Sequence, residues 1–170
     1  DTLQRELHGK HLLLLLDNFE QVLGAAAAVA ELLARTPGLR VMATSRAPLR
    51  LRGEREYALG PLALEAGSEA MSLADLARVP AVRLFVERVR DVHQDFQLTS
   101  DNGRTVIAIC RRLDALPLAI ELAAPWMKVL TADDLLRRLE HDVLLSTVGP
   151  RDLPERQQTM NCLLYTSDAA

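Results

Sequence analysis

The chain has 170 residues, of which 49% are hydrophobic, 25% charged and 4% aromatic, with a formal net charge of −3. Those values exclude a disordered chain and leave room for one ordinary domain or two small ones, with Leu, Val and Ala filling the interior. The overall charge gives no electrostatic reason for nucleic-acid binding, although a basic face can exist locally. No apolar stretch approaches the roughly 20 residues that span a bilayer, and the start lacks a signal-peptide pattern, so the cytoplasm is the expected location. The sequence opens on Asp1 rather than Met, which suggests a fragment. Cys110 and Cys162 are too few for a disulfide framework and lack metal-ligand spacing, and His8, His11, His93 and His141 are scattered.

Residues 1–10 are polar and end in Gly9-Lys10, but Gln4 stands where a phosphate-binding loop needs its first Gly, and His11 follows the Lys. The run Leu12 to Leu16 comes next. Its length and its polar boundaries predict a strand buried on both faces, as in a parallel sheet covered by helices. Asp17-Asn18-Phe19-Glu20 has the spacing of a capping box, with Asp17 as N-cap and Glu20 at N3. Helical spacing of Phe19, Val22, Leu23, Ala26, Val29, Ala30 and Leu33 predicts a helix to about Ala34, which Thr36-Pro37-Gly38 ends.

Leu39 to Ala43 reads as a second strand, completing a βαβ unit with a right-handed crossover and parallel strands. Parallel strands bring Asp17 and the triplet Thr44-Ser45-Arg46 to one sheet edge. In open α/β sheets that carboxyl edge is where ligands bind. An acid able to hold hydrated Mg²⁺ and an arginine able to touch a phosphate would face one crevice. Residues 47–56 interleave Arg50, Arg52 and Arg55 with Glu54 and Glu56 and read as a solvated loop. Tyr57 to Leu59 reads as a last edge strand, and Leu73 to Ala77 as a short helix.

Only helices are predicted from Pro80 onward. Val82, Phe85, Val86 and Val89 form one apolar stripe. The polar stretch Thr99 to Asn102 starts the next helix, with Val106, Ile107, Ile109, Cys110 and Leu113 facing inward. Pro117 starts another, Pro125 interrupts it, and Thr131 to Asp134 caps a last helix carrying Leu135, Leu136 and Leu139. Gly149-Pro150 breaks the chain again, and a further helix begins near Leu153. Cys162 to Ala170 matches the translation of a transposase sequencing adapter, so residues 162–170 are set apart from the fold as an artefact.

Five segments, in this order, resemble one family. Leu12 to Glu20 resembles a Walker B strand, Leu39 to Arg46 a sensor 1 strand, and Ala81 to Arg88 the opening of a helical subdomain. Ile109 to Ala119 resembles a Gly-Leu-Pro-Leu-Ala motif, with Ala115 in place of the Gly, and Arg156 to Thr159 resembles the start of a winged-helix subdomain. The family is that of the STAND NTPases, P-loop proteins of NB-ARC-like type, and in particular the bacterial regulators of the AfsR and LuxR type. The resemblance implies α/β followed by all-α, the C-terminal part of a P-loop NTPase sheet plus a helical subdomain, with the P-loop itself upstream.

It further implies that residues 1–64 belong to the NTPase domain, 65–78 to a linker with a short helix, 79–148 to the helical subdomain and 149–161 to the start of the winged helix. Asp17 would orient Mg²⁺ through water, and Glu20, or a water held near Asn18, would help place the attacking water. Arg46, beside Ser45, would sense the terminal phosphate of ATP or ADP, and Pro117 would pack against adenine. The intact protein would be a slow ATPase acting as a signal-transduction switch in a transcriptional regulator, while the fragment alone would be inactive. Its partners would be ATP and other domains of the same chain, DNA only through a domain not present here, further copies in an oligomer when ATP is bound, and no membrane. Two other classes fit the residues less fully: an AAA-type mechanical ATPase and a nucleotide-free helical scaffold.

Overall fold

A computed structural model describes residues 2–7, 9–64 and 71–141. The expectations for residues 149–161 and 162–170 lie outside the described residues. Two compact units meet at the Leu59–Gly60 boundary.

In the first unit, α1 (Thr2–Leu7) precedes β1 (Leu12–Leu16), a 3-10 segment (Phe19–Ala25), α2 (Ala26–Arg35) and β2 (Leu39–Ala43). The two strands pair in parallel, Leu12 opposite Leu39 through Leu16 opposite Ala43. Both strands have the residues expected of them, because each is a short apolar run bounded by breakers or polar residues. Gly38 is needed at the start of β2 for a reason of space. A Cβ there would lie 2.2 Å from the Lys10 carbonyl oxygen, and the Leu12 N–H donates to the Gly38 carbonyl at 3.1 Å. The chain ahead of β1 therefore crosses directly against a residue without a side chain.

Three expectations for this unit are corrected. The leucine strand is not buried on both faces: Leu15 is 66% exposed, and on β2 Met42 is 61% exposed. Two strands with one helix packed against them offer too little surface to cover both faces, and burial concentrates at Phe19, Ala26 and Leu39. The helix after β1 is interrupted, since Val22 (φ −132°, ψ 34°) breaks it into a 3-10 piece and α2. Tyr57 to Leu59 forms no strand. Tyr57 and Leu59 are 88% and 90% exposed, and among the described residues no neighbouring strand offers them ladder hydrogen bonds.

Among the described residues of the second unit the regular elements are all helical: α3 (Leu73–Leu76), α4 (Pro80–Val92), α5 (Ser100–Arg112), α6 (Pro117–Ala123), a 3-10 turn (Ala124–Lys128) and α7 (Ala132–Glu140). Helical periodicity decided these elements, and their starts follow capping chemistry. Thr99 caps α5 through a reciprocal box with Asn102, Thr131 caps α7 by accepting from the Asp134 N–H, and Pro80 and Pro117 occupy first turns. Pro125 replaces α-helix by a 3-10 turn, as a residue without an N–H should. The core is one cluster in which Val82, Phe85 and Val89 of α4 meet Val106, Ile107, Ile109 and Cys110 of α5, together with Leu113, Ile120 and Leu135. Leu62 and Leu64 pack on the same core, so the helical unit begins some residues before the expected boundary at 64. Burial pushes the Cys110 thiol up to about 12, which keeps it protonated and unreactive at neutral pH. Among the described residues no helix is long and apolar enough to cross a membrane.

The turn from α5 to α6 shows what Ala115 does. The Ala115 N–H donates to the Cys110 carbonyl and the Asp114 N–H to the Arg111 carbonyl, the two bonds of a Schellman motif. Asp114 (φ 51°) and Ala115 (φ 50°) both sit in the left-handed region, which strains an Ala. Replacing Ala115 by Gly relieves about 1 kcal/mol of that strain. It also removes a buried methyl worth about 0.8 kcal/mol, so the expected net change is near zero. Asp114→Gly, at an exposed position, should instead raise stability by about 0.5 kcal/mol. Urea midpoints of the two variants check this; equal gains would mean that the Ala115 methyl packs poorly.

Candidate functional site

The carboxyl ends of β1 and β2 bring Asp17 and Thr44 side by side, one residue beyond the last paired positions Leu16 and Ala43. Thr44 Oγ1 donates to Asp17 Oδ1 at 2.5 Å and accepts the Asn18 N–H at 3.0 Å. The ladder continues past the strands, because the Thr44 N–H donates to the Leu16 carbonyl and the Phe19 N–H to the Thr44 carbonyl, both at 2.9 Å. Asn18 turns left-handed (φ 56°, ψ 41°), a conformation Asn tolerates, and this bend aims Phe19 into the small core.

The expected capping box is therefore absent. Asn18, not Asp17, precedes the 3-10 segment, and no side chain caps it. The Asp17 carboxylate is engaged by a hydroxyl 27 residues away instead. Glu20 does not reach back to cap either. Its carboxylate lies 3.4 Å from the Arg46 guanidinium, with the Glu20 side chain 14% exposed and that of Arg46 69% exposed. The structure thus brings together Asp17, Glu20 and Arg46 on one edge, and adds Thr44, which the sequence offered only as a member of the triplet. Ser45 turns inward on its own loop: its hydroxyl donates to the Ala47 carbonyl at 2.7 Å and accepts the Ala47 N–H at 3.2 Å. That hydroxyl shapes the backbone that carries Arg46.

Beyond Arg46 the loop closes on Glu54. Its two carboxylate oxygens accept the Leu49 N–H at 2.8 Å and the Leu51 N–H at 2.9 Å. These backbone donors, Leu51 first and then Leu49, hold the Glu54 carboxyl below its ordinary range. The contribution is present above the ordinary carboxylate value and is lost as the pH falls through the lowered one. Gly53, with φ 82°, supplies the left-handed third position of the Leu51–Glu54 turn.

Pro117 belongs to the second unit. It begins α6 and, with Leu62, Pro80, Leu84 and Arg83, lines an open groove of about 270 Å³. The walls of this groove are apolar, and its rim is mixed in charge, because Glu87 lies there 2.8 Å from the Arg83 guanidinium.

The donor set at the sheet edge does not by itself enclose a cation. No group of three or more His, Cys, Asp or Glu gathers among the described residues. Asp17 offers one exposed carboxylate with a hydroxyl beside it. Mg²⁺ is commonly held by one or two carboxylates, with water and phosphate oxygens completing the shell, so these residues fit that ion only together with a phosphate ligand.

No known protein family matches the chain, and no solved structure does. Similarity is found with longer proteins of mycobacteria. A Mycobacterium bovis protein and a Mycobacterium tuberculosis protein, each provisionally named an HTH-type transcriptional regulator, are 35% identical over 170 residues, 99% of this chain. An uncharacterized protein of Mycobacterium tuberculosis is 34% identical over the same share. The chain spans 18% of the length of the two named regulators and 40% of the third protein.

Proposed function

We propose that this chain is part of an ATP-responsive switch within a transcriptional regulator, and that its first unit supplies the acid-and-arginine edge of the nucleotide site. One observation carries the reading: Asp17, joined to Thr44 by a hydrogen bond, stands with Arg46 at the carboxyl edge of two parallel strands. Similarity to proteins named as HTH-type regulators supports the wider role. In this reading the DNA-binding domain and the phosphate loop lie elsewhere in a longer protein.

Each residue then has a task set by its chemistry. Bound Mg²⁺ would neutralise phosphate charge, and Asp17 would hold it, through water, in an orientation fixed by Thr44. Arg46 offers a fork of N–H donors to a terminal phosphate. Its present contact with Glu20 is a single one at 3.4 Å from a guanidinium that is itself 69% exposed, so a phosphate of higher charge can draw it away. Glu20, mostly covered and released from Arg46, would be free to accept a hydrogen bond from water.

The test is equilibrium binding of a fluorescent ATP analogue with Mg²⁺ to a longer protein containing this chain. The Asp17→Asn, Arg46→Ala double variant should bind at least about 10-fold more weakly, since hydrogen bonds to charged groups contribute about 1.5–3 kcal/mol. Equal binding would overturn the proposal and favour a nucleotide-free scaffold. Residues 1–161 alone should bind weakly or undetectably, because the backbone cradle for the phosphates is not among them.

A further inference from the structure

Arg46 stands between two hydrogen-bonded anchors. Upstream, the Thr44 N–H donates to the Leu16 carbonyl and the Thr44 carbonyl accepts the Phe19 N–H, while the Ser45 hydroxyl reaches across Arg46 to both the N–H and the carbonyl of Ala47. Downstream, one carboxylate oxygen of Glu54 accepts the Leu49 N–H and the other the Leu51 N–H. Only Ala47 and Pro48 lie between Arg46 and this clamp, and the ring of Pro48 fixes its own φ.

Residues 46–55 contain no helix or strand, and Leu49 and Leu51 are only half-buried, so neither a ladder nor a deep core sets the path of the loop. Glu54 and two left-handed residues, Arg50 (φ 57°) and Gly53 (φ 82°), set it instead. The bend at Arg50 turns the N–H groups on either side of it toward one anion, as in a backbone nest. Gly53 closes the turn in which the Glu54 N–H donates to the Leu51 carbonyl at 3.1 Å. A left-handed residue other than Gly persists only where its surroundings over-determine it, and such residues cluster at functional sites. The Arg46 side chain is 69% exposed with a single ionic contact, to Glu20, so packing does not hold it. What the chain can fix is the backbone root from which the guanidinium extends, and a misplacement of about 1 Å in a reacting site can cost about 100-fold.

We propose that Glu54 is a positioning residue for Arg46: by clamping the loop after β2 it fixes the root from which the guanidinium reaches the terminal phosphate of a bound nucleoside triphosphate. This deepens the nucleotide reading of the sheet edge and rests on it. Glu54 touches no ligand in this role. Its own charge repels phosphate, so a contribution through position has the opposite sign from one through charge.

The experiment is a double-mutant cycle in a longer protein containing this chain, read by equilibrium binding of a fluorescent ATP analogue with Mg²⁺ and by urea unfolding of the same samples. Glu54→Ala should weaken binding by at least about 3-fold when Arg46 is present and by less than about 2-fold in the Arg46→Ala background. Glu54→Gln, which keeps the shape and one acceptor oxygen, should recover part of the affinity. Gly53→Ala opens the loop independently. A Cβ at Gly53 meets no atom within 4 Å, so this variant disturbs only the left-handed backbone, and it should weaken binding in the same Arg46-dependent way. It carries the test should Glu54→Ala misfold. Equal losses with and without Arg46 would overturn the proposal, since Glu54 would then act on the fold alone. Tighter binding by Glu54→Ala, the sign of relieved charge repulsion, would overturn it too. Should Arg46→Ala itself bind as wild type does, the nucleotide reading fails and takes this proposal with it; an effect of Arg46 without any from Glu54 sinks the proposal alone.

Discussion

Asp17→Asn in a longer protein containing this chain is expected to lower Mg²⁺-dependent ATP turnover by about 100-fold, the usual scale for removing one preorganised electrostatic contact. Its folding stability should change by less than about 0.5 kcal/mol, as for exposed positions generally. The two expectations belong together. Asp17 is exposed, and Asn retains an acceptor for the Thr44 hydroxyl, so the local hydrogen bond survives while the charge is lost. Thr44→Val gives the complementary case. It removes the hydroxyl that joins Asp17 to the Asn18 N–H, and should cost about 1 kcal/mol of stability. Its effect on turnover should be smaller and should be restored by Thr44→Ser. Steady-state phosphate release with urea unfolding of the same samples measures both. An Asp17→Asn protein that turns over ATP at the wild-type rate would reduce Asp17 to a hydrogen-bond acceptor at a strand end.

Legibility in the sequence followed the range of the interactions. β1, β2 and α4 to α7 were readable because apolar runs, period-3.6 stripes and local caps such as Thr99 and Thr131 act within a few residues. The sheet edge was readable one step further, since parallel strands place Asp17 and Thr44 together whatever else happens. Its wiring was not. The same tetrapeptide satisfies a capping box by spacing, and what decides against it is a left-handed Asn18 and a competing hydroxyl 27 residues away. The Glu20–Arg46 pair is equally non-local, and two separate tasks expected of these side chains start from a mutual contact. Glu54 shows a third limit. Interleaved charges read as a solvated loop, and the exposed arginines agree, but the Leu49 and Leu51 N–H groups that take up the Glu54 carboxylate leave no mark in the sequence.

Leu113→Ala should be among the most damaging single changes in the chain, costing about 3–5 kcal/mol, whereas Leu15→Ala should cost under about 1 kcal/mol. Composition alone predicts the opposite ordering, since Leu15 sits in the most apolar run of the sequence. Burial decides it. Leu113 is fully enclosed at the end of α5, among Ile109, Ile120 and Leu135, and its loss leaves a cavity that packed helices fill poorly. Leu15 already meets solvent over two-thirds of its surface, so truncation removes little that folding had gained. Domain stabilities are about 5–15 kcal/mol, so the first change removes a large part of the helical unit's margin and the second almost none. Urea unfolding of the 170-residue chain, followed by circular dichroism, measures both. In a longer protein the comparison gains a second use. If Leu15→Ala there costs as much as Leu113→Ala, the leucine strand is covered by chain outside these residues, and the doubly buried strand its sequence implies is restored in that context.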